Sequence, residues 1–182
     1  DRELAKTVRN GAAGTILFVD LDDLKTVNDT LGHTYGDGLI FEAGNRLARE
    51  IGQQAAKEPG RETYVGRIGG DEFLVIFPGL ADRQVIARLV DRIVEVLCQD
   101  IKLLGKSLHI SASVGVAVYP DDGDKTEEIF KNADNAMYAA KRAGKSCWRF
   151  YEAVMQAEAY EKMLLTNSLY SAVERGELLL YY

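Results

Sequence analysis

Apolar and polar positions along the chain follow two rhythms. Thr15–Asp20 (TILFVD) is β-branched and apolar and ends in an acid, the pattern of a strand buried on both faces. Two helical segments follow. The second opens near Gly36-Asp37 and puts Leu39, Ile40, Ala43, Leu47 and Ile51 on one face. The polar stretch Gln53–Arg61, with Pro59-Gly60, predicts a loop. Thr63–Ile68 and Phe73–Phe77 flank Gly69-Gly70-Asp71-Glu72 as a β-hairpin with acids at its tip. Val85, Ile86, Leu89, Val90, Ile93, Val94 and Leu97 recur at helical spacing. Leu108, Ile110, Ala112, Val114, Val116 and Val118 alternate strictly and predict one strand, with His109 inside it. After the turn Pro120–Gly123, Thr126 is the expected N-cap of a helix carrying Ile129, Phe130, Ala133, Ala136, Met137 and Ala140, which Gly144 ends. Cys147–Tyr151 reads as a short strand with Trp148 in the core, and residues 152–176 as a helix. At the two ends, Asp1–Asn10 reads as the close of a helix and Glu177–Tyr182 as the start of a strand.

The order of elements predicts a mixed α/β (α+β) fold: a central, mostly antiparallel sheet flanked by helices, on the ferredoxin-like plan. With 182 residues, 47% of them apolar, the chain suits one globular domain with a small appendage. The net charge of −6 argues against a long nucleic-acid track, which Lys and Arg would have to line. It leaves room for a small anionic ligand on a local cationic spot or a metal ion. No run approaches the ~18 apolar residues of a membrane span. Cys98 and Cys147 lack metal-site spacing and suit free thiols in a reducing cytosol. The expected location is therefore cytoplasmic, with no membrane contact by this chain, although a parent protein with a membrane anchor stays open.

Two acidic clusters carry the candidate chemistry. Asp20-Leu21-Asp22-Asp23 ends the first strand and Asp71-Glu72 lies at the hairpin tip. Each alone reads as a solvated strand end. If the hairpin pairs beside the first strand, the carboxylates meet and form a hard-oxygen site for Mg2+ or Mn2+. Gly69-Gly70 would let a ligand approach the main chain, and alone would be only a tight turn.

Five segments together are specific. Arg67-Ile68-Gly69-Gly70-Asp71-Glu72-Phe73 contains the signature that names the GGDEF family. Asp20-Leu21-Asp22-Asp23-Leu24-Lys25-Thr26-Val27-Asn28-Asp29 resembles the family's DxDxFKxxND segment, and Gly32–Asp37 its GHxxGD loop. Ser113–Ala117 resembles its SxGxA strand and Ala133–Lys141 its ADxAxYxAK helix. The chain is identified on these motifs, over about residues 14–152, as a member of that family, whose modules condense two GTP into cyclic di-GMP on a fold like the palm of nucleotide cyclases.

The resemblance implies roles. Asp20 and Asp71 would hold the metal, Mg2+ or Mn2+, with the Leu21 carbonyl as a third ligand. Asp71 would also take the proton of the ribose 3′-hydroxyl, with Glu72 near that ribose. Asn28 and Asp37 would read the guanine edge, and His33 would line the same loop or serve only structurally. Lys25, Lys141 and Lys145 would meet phosphates beside Gly69 and Gly70. Leu24 stands where Phe is usual, Lys145 where Arg is usual and Ser146 where Asn is usual. The two positions of the family's Arg-x-x-Asp product-inhibition motif hold Gly60 and Thr63, so no site of that type is expected. The usual DxLTGLxNR-like opening is absent, so residues 1–152 are expected to be a GGDEF domain lacking an N-terminal piece. Ala172–Tyr182 looks like the opening of an EAL domain, which makes 153–182 a linker helix and first strand of that module. Two readings of function follow. One is a diguanylate cyclase acting as a homodimer in a GGDEF–EAL protein. The other is a GTP-binding regulatory domain, weak or inactive in catalysis, that controls an adjacent EAL phosphodiesterase. A different palm-type nucleotidyl transferase is a remote third.

Overall fold

The computed structural model describes residues 13–57 and 62–177. They divide into two units, separated between Tyr151 and Glu152. The first is built on a five-stranded sheet of order β2-β3-β1-β6-β7. Its strands are β1 (Gly14–Leu21), β2 (Tyr64–Gly69), β3 (Glu72–Pro78), β6 (Ala112–Tyr119) and β7 (Trp148–Phe150). Every pairing is antiparallel except that of β6 with β7. All eight residues of β1, the middle strand, are buried, as are all eight of β6.

The alternation of the strands sorts the core into two layers. Leu17, Val19, Leu21, Val75, Phe77, Val114, Val116 and Val118 face helices α2 (His33–Lys57) and α3 (Arg83–Leu97). Ile16, Phe18, Ile76, Ala117 and Tyr119 face helix α4 (Thr126–Arg142), which contributes Ile129, Ala133 and Met137. Burying each large apolar side chain contributes roughly 1.5–3 kcal/mol. That packing fixes the end of β1 in place against the desolvation cost of the acid it carries. On β6, a Cβ at Gly115 would overlap the Ala133 carbonyl and the Met137 amide, so the backbone of α4 lies directly on the strand.

Several expectations change. The second helical segment begins at His33 rather than near Gly36-Asp37, after a short α1 (Leu24–Leu31). Gly36 belongs in the helix because its missing Cβ leaves space for the Asn28 side chain. The same helix runs through Gln53, Gln54, Ala55 and Ala56 to Lys57, where a loop is expected; these are good helix formers and nothing in them interrupts the ladder. The long alternating stretch is two elements, not one. β4 (Ile101–Leu103) and β5 (Lys106–Leu108) form a separate hairpin turned at Leu104-Gly105, and β6 starts only at Ala112. His109 is thus outside any strand and exposed, with Nδ1 3.2 Å from Asp100 Oδ1. Lys125 takes the N-cap position instead of Thr126, with no side-chain cap; Glu127 and Glu128 in the first turn answer the helix dipole. Trp148 is half-buried at the margin of the core, its Nε1–H donating to Asp91 Oδ1 at 2.7 Å.

The second unit contains α5 (Ala153–Glu174). The expectations for Asp1–Asn10 and for residues 178–182 lie outside the described residues, and Glu177 has no regular secondary structure. Among the described residues no helix is long and apolar enough to cross a membrane. Cys98 and Cys147 are both free thiols.

Candidate functional site

The register of the sheet brings the two acidic clusters together. Asp20, next to last in β1, pairs across the antiparallel ladder with Glu72 at the start of β3. Its neighbour on the other side is Ser113 in β6. The Leu21 N–H donates to the Asp71 carbonyl at 3.2 Å, which fastens the hairpin tip to the strand end. Within the tip, Gly70 has a left-handed φ of 54° that suits glycine. The Arg67 guanidinium donates from Nε and Nη2 to the Gly70 carbonyl at 2.9 and 2.6 Å, bracing the turn before the acid.

An open cleft of about 290 Å³ lies over this edge, lined among others by Asp20, Leu21, Lys25, Asp71, Lys141 and Lys145. Six of the sequence-derived site residues are therefore in one place. Lys141, in the last turn of α4, puts Nζ 2.7 Å from Asp20 Oδ1. The contact is a close ion pair and not an aligned hydrogen bond, so this buried oxygen has no properly directed donor. Burial pushes the Asp20 carboxyl up to about 6; Lys141 opposes that, and the Asp71 and Asp22 carboxylates add to it. The site is short of positive charge even with Lys141 in contact. Two carboxylates, an adjacent backbone carbonyl at Leu21 and a buried oxygen without an aligned donor suit a hard divalent cation. Among the described residues no three His, Cys, Asp or Glu side chains gather as a metal cluster, so such an ion would need the carbonyl or its own waters to complete its shell.

The remaining candidates stand apart from this cleft. Asn28 on α1 is half-buried, with Oδ1 fully buried, unpartnered and lying against Gly36. His33 and Asp37 are exposed in the first turns of α2, and Gly69 and Gly70 are exposed at the hairpin tip. None of these five lines the acidic cleft, and neither does Glu72. The geometry thus has two parts: an acid-and-lysine cleft at the sheet edge, and an amide with an unmet acceptor at the α1–α2 junction.

Sequence reasoning gave no separate role to Asp22, Asp23, Ser111, Ser113 or Ser146. Asp22 is as buried as Asp20, each 4% exposed. It accepts from Ser113 Oγ and Ser111 Oγ, both at 2.7 Å, and from the Ser146 N–H at 3.1 Å. Asp23 Oδ1 accepts from Lys145 Nζ at 2.6 Å, and that bond raises the Lys145 pKa. The serine of the SxGxA segment was the available signal, since a hydroxyl facing a strand that ends in acids has few other partners.

The sequence model of the family described as "Diguanylate cyclase, GGDEF domain" matches residues 1–147. The bifunctional diguanylate cyclase/cyclic di-GMP phosphodiesterase MucR of Pseudomonas aeruginosa is 34% identical over 182 residues, all of this chain and 25% of MucR. The cyclic di-GMP phosphodiesterase NbdA of the same organism is 31% identical over 172 residues, 94% of this chain and 21% of NbdA. The chain therefore spans a quarter or less of the length of these two relatives. The crystal structure of the GGDEF domain of TpbB (YfiN) from Pseudomonas aeruginosa superposes with a TM-score of 0.74 at 31% identity, covering 83% of this chain and 92% of that one. With the motifs on the expected strands and the family match running through most of the sheet, the chain belongs to the GGDEF family.

Proposed function

We propose that this domain is a diguanylate cyclase, joining two GTP into cyclic di-GMP with release of two pyrophosphates. The observation that carries the reading is the meeting of Asp20 and Asp71 across β1 and the hairpin tip, in a cleft that also holds Lys25, Lys141 and Lys145. A Mg2+ or Mn2+ ion held by Asp20, Asp71 and the Leu21 carbonyl would neutralise phosphate oxygens and favour attack at phosphorus. Lys141 and Lys145 place ammonium groups at the cleft walls, where they offset triphosphate charge, and Lys25 does so from the first turn of α1. Asp71 takes the proton of the ribose 3′-hydroxyl as O3′ bonds to the α-phosphorus of the second nucleotide and the bond to pyrophosphate breaks. Glu72, opposite Asp20 in the ladder, lies toward that ribose. Asn28, with its free buried acceptor, and Asp37 hold the guanine edge, and His33 lines the same loop.

One domain presents one such cleft, so the two bonds require two copies facing each other, most simply across a two-fold axis. The reading places the protein in the cytoplasm, where GTP is available, and joins it to an EAL domain in the same polypeptide. The experiment is to incubate the purified protein with GTP and Mg2+ at several protein concentrations and follow cyclic di-GMP by chromatography. Product rising faster than linearly with protein supports a dimeric cyclase.

One observation favours a second reading. The relative NbdA, similar along 94% of this chain, is described as a phosphodiesterase. On that reading the domain binds GTP and regulates the adjacent phosphodiesterase without turning GTP over. GTP binding with no cyclic di-GMP formed, together with a GTP effect on the phosphodiesterase rate of the full-length protein, would select it.

A further inference from the structure

Asp22 follows the sheet edge that carries the cleft, but its surroundings differ from those of Asp20. Both of its carboxylate oxygens are engaged: Oδ1 by Ser113 Oγ, and Oδ2 by Ser111 Oγ and the Ser146 N–H. Its own N–H donates to the Ser111 carbonyl at 2.8 Å. Asp22 is therefore a filled acceptor, unlike the donor-poor Asp20. The Ser146 amide it holds belongs to an unusual segment. Lys145 and Ser146 have φ of 64° and 50°, two consecutive non-glycine residues in the left-handed region that a Cβ disfavours. Such a turn persists only where its surroundings fix it. Three bonds from backbone N–H groups do so: Lys145 N–H to the Ala140 carbonyl at 3.2 Å, Ser146 N–H to Asp22, and Val114 N–H to the Cys147 carbonyl at 3.0 Å. Only the middle one is made to a charged group. Its result is that Lys145 reaches the cleft wall, with Nζ on Asp23 Oδ1.

We propose that Asp22 is a positioning residue for Lys145: its carboxylate holds the left-handed Lys145–Ser146 turn that presents the ammonium to the phosphates of a bound nucleotide. The inference rests on the nucleotide-binding reading above and adds to it a residue that lines the cleft but acts through Lys145, its own oxygens being taken up by the two serine hydroxyls and the Ser146 amide.

The test uses Asp22→Asn, Lys145→Ala and the double variant, with GTP, guanosine and Mn2+ as separate probes, the Mn2+ titrated into the protein without nucleotide. Asp22→Asn is expected to weaken GTP binding about tenfold, the scale of one charge-assisted contact. Guanosine, which lacks phosphates, and Mn2+ are expected to bind as to the wild type. In the Lys145→Ala background, Asn at position 22 is expected to add no further loss for GTP, because the effect runs through the lysine. Ser113→Ala, a milder change, is expected to weaken GTP about twofold to threefold and serves if Asp22→Asn does not melt cooperatively. Weakened Mn2+ binding would make Asp22 part of the metal site and overturn the proposal. So would an equal loss for guanosine, or full additivity with Lys145→Ala. Wild-type protein that binds neither GTP nor guanosine overturns the nucleotide reading instead. Hydrogen exchange at the Ser146 amide then decides the structural half: faster exchange in Asp22→Asn supports the turn-holding role, and unchanged exchange refutes it.

Discussion

Two walls of one cleft meet at the end of β1 and differ in how their acids are satisfied. On the hairpin side, Asp20 is buried with an oxygen that lacks an aligned donor, faces Asp71, and has its carboxyl pushed up to about 6 mainly by burial. On the opposite side, Asp22 is buried to the same degree but accepts three hydrogen bonds. Equal burial therefore has opposite meanings. The first carboxylate is held in a state that calls for a cation, which is how binding sites store interaction energy. The second is a structural anion whose three partners come from two separate segments, the start of β6 and the turn after α4.

That contrast can be broken by substitution. The largest effect is expected from Asp71→Asn, which removes the proposed proton acceptor and a charge from the proposed metal site. Cyclic di-GMP formation is expected to fall by at least about 10³-fold while the protein stays folded, measured by chromatography and circular dichroism. Retention of most of the activity would remove Asp71 from the chemistry.

Asp20→Asn is expected to abolish activity yet stabilise the protein at alkaline pH. The folded-state pKa of about 6 lies above the ordinary 3.8, so the native state holds a proton that the unfolded chain releases. The full stability is present below about pH 4 and is lost as pH rises through 6. By pH 8 the charged carboxylate costs up to about 3 kcal/mol. With a chelator present, Asp20→Asn is thus expected to raise the melting temperature at pH 8 and to change it little at pH 4. A drop at pH 8 would show that the ion pair with Lys141 outweighs burial. Asp22→Asn is expected to do the reverse and lower stability by about 2 kcal/mol at pH 8, since amide for carboxylate leaves donors facing donors. The smallest effect belongs to Arg67→Ala. Loss of its two bonds to the Gly70 carbonyl is expected to cost about 1 kcal/mol and to raise the KM for GTP a few-fold.

The two walls also differ in how much of them is legible in the sequence. The hairpin side rests on local signals: a period of two in the strands, a Gly-Gly turn and acids at fixed places. A single register between β1 and β3 converts those signals into Asp20 opposite Glu72. The Asp22 side depends on side-chain bonds to residues 89, 91 and 124 positions away, which leave no periodic trace. The same reason explains the other departures. Gly36 reads as a helix boundary until Asn28 is seen filling the space its Cβ would take. His109 reads as interior because the alternation of apolar residues runs unbroken across the gap between β5 and β6.

Gly115 has a consequence for the distance at which the chemistry is set. Because α4 rests on the bare backbone of β6 there, the missing methyl acts as a depth stop, and the lysine one turn beyond Met137 inherits its reach from that stop. A methyl group added on the sheet would lift the helix like a shim under a beam and draw Lys141 away from Asp20. The separation of ammonium from carboxylate is in this sense machined into the middle of the sheet, at a residue that carries no functional group.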